Sequence, residues 1–112
     1  LSVPLDADQM FRVFHNLLSN GLQAMDGRGS LSVSSRIENE MAVISISDDG
    51  PGVPGHAKAD LFKPFMSSTK ADGSGLGLAI AAELARAHGG RLELAHSDSS
   101  GSVFDVYLPL KD

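Results

Sequence analysis

The stretch 73–78, Gly-Ser-Gly-Leu-Gly-Leu, sets three alternating glycines at the start of a predicted helix. A glycine within a helix costs about 1 kcal/mol relative to alanine, so three of them indicate a compensating role. Backbone N–H groups at a helix N-terminus, with no side chains in front of them, suit a phosphate or another anion. No strand directly precedes the glycines, which disfavours Rossmann and Walker sites. The stretch therefore predicts an anion site of another kind.

The chain on either side of this stretch predicts two helices and two hairpins. Apolar residues recur at helical spacing in two segments, and β-branched residues alternate with polar ones in four shorter segments. The order of these elements indicates an α+β fold, a two-layer sandwich with helices on one face of a mixed, mainly antiparallel sheet. The predicted helices cover 8–25 and 74–88, and Gly89-Gly90 is predicted to stop the second helix. The predicted hairpins cover 31–48 and 91–108, and the strands of the second are predicted at 91–95 and 103–108 with a turn at 98–101.

Composition limits the classes of function. With 112 residues and 42% hydrophobic content, residues 1–112 are expected to form one domain around one core. The absence of cysteine excludes disulfides and thiolate chemistry, and a net charge of -5 without a Lys/Arg run argues against nucleic acid as a partner. The start of the chain resembles no signal peptide, and no apolar run reaches the length of a membrane span. We expect a cytoplasmic domain, a fragment of a longer protein whose membrane anchoring stays open.

Two asparagines lie four residues apart on the first predicted helix. Asn16 and Asn20 therefore share one face, opposite a predicted core stripe of Phe14, Leu18 and Leu22. One interpretation is an ordinary solvated helix face. The other is that the carboxamide oxygens, which are neutral hard ligands, complete the shell of a Mg²⁺ held by phosphates.

An acidic turn follows the first predicted hairpin. The segment 48–52, Asp-Asp-Gly-Pro-Gly, puts the Asp48 carboxylate at the end of a hydrophobic strand, before glycines that allow a ligand to approach the backbone. Asp and Gly are common at any strand exit, so a plain turn is one interpretation. The alternative is that Asp48 accepts a hydrogen bond from a ligand amino group such as that of adenine.

The long loop after this turn carries two phenylalanines and a lysine. Phe62 and Phe65 are placed to anchor the loop to the core, and Lys70 is placed to reach an anion held by the glycines. In the competing interpretation, the phenylalanines only hold the loop on the core and the lysine is simply exposed to solvent.

Five motifs, taken together and in order, resemble the N, G1, F, G2 and G3 boxes of the histidine kinase ATPase domain. They are Asn-Leu-Leu-Ser-Asn at 16–20, Asp-Asp-Gly-Pro-Gly at 48–52, Phe-Lys-Pro-Phe at 62–65, Gly-Ser-Gly-Leu-Gly-Leu-Ala-Ile at 73–80 and Gly-Ser-Val-Phe at 101–104.

The resemblance covers nearly the whole chain and implies the Bergerat fold with ATP and Mg²⁺ as ligands. It implies that Asn20 binds the metal, that Asp48 recognises the adenine amino group and that Lys70 binds phosphate. The implied nucleotide-binding set is Asn16, Asn20, Asp48, Gly50, Gly52, Phe65, Lys70, Gly73, Ser74, Gly75, Leu76, Gly77 and Gly101, in which Asn16 and Lys70 are also catalytic.

The implied function is half of a protein-histidine kinase. The γ-phosphate would pass to a histidine on the dimerisation and phosphotransfer domain of the same protein, and then to a response regulator receiver domain. The isolated chain is expected to be a monomer. Two alternatives stay open, an anti-sigma-type serine kinase of the same fold and a nucleotide-free docking domain.

Two positions set the chain apart within this resemblance. Position 21 is Gly, where the histidine kinase family usually has Ala. Asn16 stands where the gyrase-like and Hsp90-like ATPases carry a catalytic glutamate, and a carboxamide cannot act as a general base. The resemblance therefore implies slow hydrolysis, with ATP held for transfer to a protein nucleophile.

Overall fold

A computed structural model of the chain describes residues 7–25, 29–53, 62 and 77–110. They form a four-stranded sheet in which every strand pair is antiparallel, with the strand order β1-β2-β4-β3. The predicted α+β fold is confirmed, and the six elements follow in the predicted order. They are α1 (Ala7–Ala24), β1 (Leu31–Glu38), β2 (Met41–Asp48), α2 (Gly77–Ala87), β3 (Arg91–Asp98) and β4 (Gly101–Pro109).

The first hairpin turns through two residues in the left-handed region. Asn39 and Glu40 have φ angles of 51° and 64°, and Glu38 pairs with Met41 across the turn. Two successive positive φ angles match the right-handed twist of the flanking strands, which is why such turns suit two-residue hairpins. The hairpin predicted to end at Asp48 is confirmed.

The second hairpin is longer than its sequence pattern indicated. β3 continues to Asp98 and β4 begins at Gly101, so only Ser99 and Ser100 form the turn. A register shift between Leu94 and His96 interrupts the alternation in β3, and this bulge is why the pattern had placed the end of the strand too early.

The core lies between the helices and one face of the sheet, and the predicted core stripe of α1 is partly wrong. Phe14 and Leu18 are only partly buried, and Leu22 is 48% exposed. The stripe that is fully buried on α1 consists of Met10, Val13 and Leu17, which meet Ile46, Leu78 and Phe104 from the other elements.

Two glycines end α2 and let it join β3 closely. Gly89 has a φ of 82° and its N–H donates to the Arg86 carbonyl, while the Gly90 N–H donates to the Ala85 carbonyl. This pair of bonds is the Schellman arrangement, which satisfies carbonyls that the helix end leaves unpaired. A Cβ on Gly90 would lie 1.7 Å from the Tyr107 carbonyl oxygen, so only glycine fits there. The predicted stop at Gly89-Gly90 is confirmed.

The opposite face of the sheet buries a polar cluster beneath an arginine. The Ser45 hydroxyl donates to Asp105 Oδ1 at 2.6 Å, and Asp105 is only 3% exposed. Arg36 covers both, donating to Ser45 Oγ at 3.0 Å and to Asp105 Oδ2 at 3.2 Å. The cluster keeps a charge-paired carboxylate at the centre of the sheet.

Candidate functional site

Asp48 stands at the carboxyl end of β2, in a row that crosses the whole sheet. Asp48 pairs with Leu31 on one side and with Ser102 on the other, and Ser102 pairs with Ser97. Residues directly opposite in antiparallel strands share a face, so these four side chains lie side by side on the face that the helices cover. We call Leu31, Asp48, Ser102 and Ser97 the end row.

The two carboxylate oxygens of Asp48 have different surroundings. Oδ1 accepts a hydrogen bond from the Gly50 N–H at 3.0 Å, which is an Asx turn that fixes the carboxylate plane. Oδ2 faces α1 at Gly21, where a Cβ would lie 3.8 Å away. One oxygen is therefore held by the protein's own backbone, while the other is directed toward the helix.

The asparagine face of α1 leads from Asp48 to the start of α2. Gly21 lies above Asp48, and Asn20 and Asn16 follow toward the N-terminus of the helix, one turn apart and both half-buried. A Cβ on Gly77, the first residue of α2, would lie 3.9 Å from Asn16 Cβ. Within the described chain neither carboxamide makes a hydrogen bond. A carboxylate, two carboxamides and a helix N-terminus thus follow one another along α1.

The turn after Asp48 and the turn of the second hairpin contact each other through two glycines. Gly52, with a φ of 82°, lies against the Asp98 carbonyl oxygen, which would be 2.1 Å from a Cβ. Gly101, with a φ of 147°, lies against the Asp48 carbonyl oxygen, which would be 2.0 Å from a Cβ. Each glycine leaves room for a carbonyl of the other segment, so the turns interlock backbone to backbone.

Asp49, the neighbour of Asp48, has a structural contact instead. Its Oδ1 accepts a hydrogen bond from the Ser30 N–H at 3.0 Å, and the residue is exposed. Asp49 thereby ties the start of β1 to the end of β2. The two adjacent aspartates consequently have different roles.

Phe62 is the one described residue of the long loop, and it is anchored as expected. Its ring meets Phe104 edge-on with 6.2 Å between centroids, and it packs partly buried against the core. The predicted anchoring role of Phe62 is therefore confirmed. Six further residues of the predicted site lie outside the described residues: Phe65, Lys70, Gly73, Ser74, Gly75 and Leu76.

The described members of the predicted site come together at one end of the fold. Asn16, Asn20 and Gly77 lie along α1 and at the start of α2, and the four remaining members, Asp48, Gly50, Gly52 and Gly101, lie in the two interlocked turns.

Sequence reasoning gave no functional role to Leu31, Ser97 or Ser102 and treated Gly21 only as a departure from the family. The signal for the end row lay in the strand register, which places these three residues in one row with Asp48.

Residues 5–112 match the sequence profile of the histidine kinase-, DNA gyrase B- and HSP90-like ATPases. The chain belongs to this family. Among its relatives, it is 41% identical over 106 residues to sporulation kinase C of Bacillus subtilis (strain 168), which covers 95% of this chain and 24% of the relative. It is 33% identical over 108 residues to the sensor histidine kinase ZraS of Escherichia coli (strain K12), covering 96% of this chain and 23% of the relative.

Solved structures of histidine kinases share the fold. The catalytic domain of histidine kinase ThkA, in a nucleotide-free form, superposes with a TM-score of 0.83 at 29% identity, covering 96% of this chain and 70% of that one. Full-length ShkA in complex with AMPPNP superposes with a TM-score of 0.82 at 27% identity, covering 96% of this chain and 23% of that one.

The chain spans about a quarter of the length of the curated relatives it matches. ZraS is a sensor histidine kinase, which is an ATP-dependent enzyme, and membership of the ATPase family identifies ATP as the ligand class of this chain. Neither described helix has the length and apolar character needed to cross a membrane.

Proposed function

We propose that this chain binds Mg·ATP along α1 and donates the γ-phosphate to a histidine on a dimerisation domain of the same protein. The observation that carries the proposal is the order of groups along α1. Asp48 Oδ2 lies under Gly21, and the Asn20 and Asn16 carboxamides lead from there to the N-terminus of α2 beside Gly77. This order suits a nucleotide with its base at Asp48 and its phosphates at α2.

The base end of the proposed site has the chemistry to recognise adenine. An ionised carboxylate accepts hydrogen bonds and donates none, so Asp48 Oδ2 suits an exocyclic amino group and opposes a carbonyl oxygen. The Gly50 N–H holds the other oxygen, which keeps the carboxylate plane fixed while Oδ2 accepts. Adenine has an exocyclic amino group where hypoxanthine, the base of ITP, has a carbonyl oxygen. Asp48 would therefore select ATP over ITP.

The phosphate end suits a metal carried in by the nucleotide. Among the residues that the structure describes, no group of three or more His, Asp or Glu is arranged to hold an ion. Carboxamide oxygens are neutral ligands that fit a Mg²⁺ whose remaining ligands are phosphate oxygens and water. Asn20 would bind such an ion with Asn16 near the phosphates, and the metal supplies charge neutralisation during phosphoryl transfer.

The residues of this chain would act by holding and orienting ATP. Asn16 has no basic group to take a proton from water, so it cannot act as a general base for hydrolysis. The positive end of α2 and its free N–H groups would stabilise the phosphates. Little turnover is expected from the chain alone, and transfer requires the domain that carries the acceptor histidine and a downstream receiver domain.

The binding test compares the wild-type chain with two site variants by calorimetry, with ATP, ADP and ITP, in Mg²⁺ and in EDTA. Asp48→Ala is expected to lower ATP affinity about 10- to 100-fold, the value of a hydrogen bond to a charged group, and to remove the preference over ITP. Asn20→Ala is expected to lower affinity in Mg²⁺ but not in EDTA. Glu38→Gln, on the opposite face of the sheet, is the control and should bind like wild type. A wild-type chain that binds no adenine nucleotide contradicts the proposal.

The transfer test adds a dimerisation domain with its acceptor histidine and radiolabelled ATP. A label on the added domain that is lost in acid and kept in alkali identifies phosphohistidine. A label that withstands acid on a serine of an antagonist protein supports the serine kinase alternative instead. Nucleotide binding without any transfer to either acceptor argues against both kinase proposals.

A further inference from the structure

The turn that follows Asp48 is held at its far end by a serine of the second hairpin. The Val53 N–H donates to Ser97 Oγ at 2.7 Å, a bond between residues 44 positions apart. Gly52, just before it, lies against the Asp98 carbonyl and has Ser97 Oγ 3.0 Å from its Cβ position. The turn is thus fixed at its start by Asp48 and at its end by Ser97.

Ser97 also connects this bond to the Asp48 strand through the end row. Its hydroxyl lies 3.3 Å from Ser102 Oγ, and Ser102 is 4% exposed and pairs directly with Asp48. Hydroxyls both donate and accept, so Ser97 can accept from the Val53 amide while its own proton is directed elsewhere. Asp48 and Val53 are therefore linked in two ways. One runs across the strands through Ser102 and Ser97, and the other runs along the backbone of the turn 49–53.

We propose that Ser97 is a positioning residue for the adenine end of the site, acting through the backbone of the turn 49–53. The inference rests on the proposed function, because it assigns the turn to nucleotide recognition. The Ser97 hydroxyl holds the Val53 amide and so keeps the Gly50 N–H on Asp48 Oδ1 before any ligand arrives. A turn ordered in advance loses less conformational entropy on binding, so the nucleotide binds more tightly.

This role predicts a specific signature in binding. Among the described residues Ser97 contacts the turn beside the base, so its removal should affect ligands with and without phosphates alike. Ser97→Ala should weaken Mg·ADP and adenosine by the same factor, about three- to tenfold, the effect of one neutral hydrogen bond. Ser97→Thr keeps the hydroxyl and should restore most of the affinity. Ser99→Ala, in the exposed turn two residues away, should bind like wild type.

Amide hydrogen exchange separates positioning from general stability. In Ser97→Ala the Gly50, Gly52 and Val53 amides should exchange faster, while the Val43 and Val106 amides in the central strands and the melting temperature stay as in wild type. This measurement needs no nucleotide, so it tests the bond between Ser97 and Val53 even if the wild-type chain binds no nucleotide. Failure of the wild-type chain to bind nucleotide would contradict only the proposed function.

Three results overturn the inference about Ser97. One is a Ser97→Ala chain that keeps wild-type affinity and wild-type exchange in the turn. A second is a uniform rise in exchange across the central strands with a matching fall in melting temperature, which would make Ser97 a stability residue only. A loss confined to Mg·ADP, with adenosine binding unchanged, would place the effect at the phosphates and also contradict it.

Discussion

Gly21 of α1 lies over the Asp48 side chain, with its Cβ position 3.7 Å from Asp48 Cβ and 3.8 Å from Oδ2. The same position lies 2.7 Å from Leu31 Cδ2, so the terminal methyl of Leu31 fills the space that an alanine at 21 would need. The departure from the family at position 21 is thus coupled to the leucine beside it in the end row. Helix α1 and strand β1 together form the wall next to the carboxylate.

A double-mutant cycle at Gly21 and Leu31 should reveal this coupling. Gly21→Ala gains about 1 kcal/mol of helix propensity, but in the wild-type background the Leu31 contact offsets part of that gain. In a Leu31→Ala background the contact is gone, and Gly21→Ala should stabilise the chain by about 1 kcal/mol. Urea unfolding of the four chains measures the difference. Equal effects of Gly21→Ala in both backgrounds would show that the two positions are independent.

Substituting Gly101 should be far more costly than substituting Gly89, although both have positive φ angles. An alanine at 101 would put Cβ 2.0 Å from the Asp48 carbonyl oxygen, whereas at 89 the nearest atom is Pro109 Cγ at 3.4 Å. Gly89→Ala should cost about 1 kcal/mol for backbone strain alone. Gly101→Ala should cost about 3 kcal/mol through strain and overlap, and should weaken nucleotide binding because it displaces Asp48. Similar unfolding free energies for the two variants would contradict the interlocked turns.

Arg36 is expected to stabilise the chain through Asp105 and hardly at all through Glu38. Arg36→Met leaves the buried Asp105 carboxylate without its cation and should lower the free energy of unfolding, because a buried acceptor is then under-satisfied. Glu38→Gln removes only an exposed ion pair and should cost less than about 0.5 kcal/mol. Chemical denaturation of both variants provides the comparison. If Glu38→Gln lowered the free energy of unfolding as much as Arg36→Met, the stabilising contact would be the exposed pair of Arg36 and Glu38.

Asp98 should make the second hairpin sensitive to acid. Hydrogen bonds from the Ser100 hydroxyl and backbone, with a further bond from His96, lower the pKa of Asp98 from 3.8 to about 2. A lowered folded-state pKa stabilises the chain above the unfolded value, and that stability is lost as pH falls toward 2. Asp98→Asn should therefore melt below wild type at pH 6, with the gap closing between about pH 4 and pH 2.

Carboxyl NMR titration checks the same point directly, since the Asp98 resonance should titrate near the lowered pKa. A melting gap that stays constant across this range, or a carboxyl that titrates at its ordinary value, would contradict the assignment.

The elements were predictable from local pattern, but the buried side of α1 was not. Phe14, Leu18 and Leu22 are spaced by four, and each such step rotates about 40° around a helix, so the stripe drifts toward solvent. Met10, Val13 and Leu17 are spaced by three and four, which keeps them within a narrower arc. Both sets have helical periodicity, and only packing against the sheet decides between them.

The local segments that carry the predicted site residues were recognisable in the sequence, and the contacts that support them were not. Asp48 and the asparagines stand in recognisable local segments, whereas Ser97 reaches Val53 across 44 positions through the register of β3 and β4. The bulge between Leu94 and His96 shifts that register, so even the correct strand assignment would have misplaced Ser97.

The interlocked turns should tolerate substitution of an exposed side chain but not a change in the length of the chain. The Ser99 side chain is exposed and free to vary, because the contacts with the other turn are made by backbone atoms. An insertion between Ser99 and Ser100 would instead shift the Asp98 carbonyl and Gly101 relative to Gly52 and Asp48. At this turn, chain length is therefore what descendants of this sequence must preserve, more than the identity of Ser99.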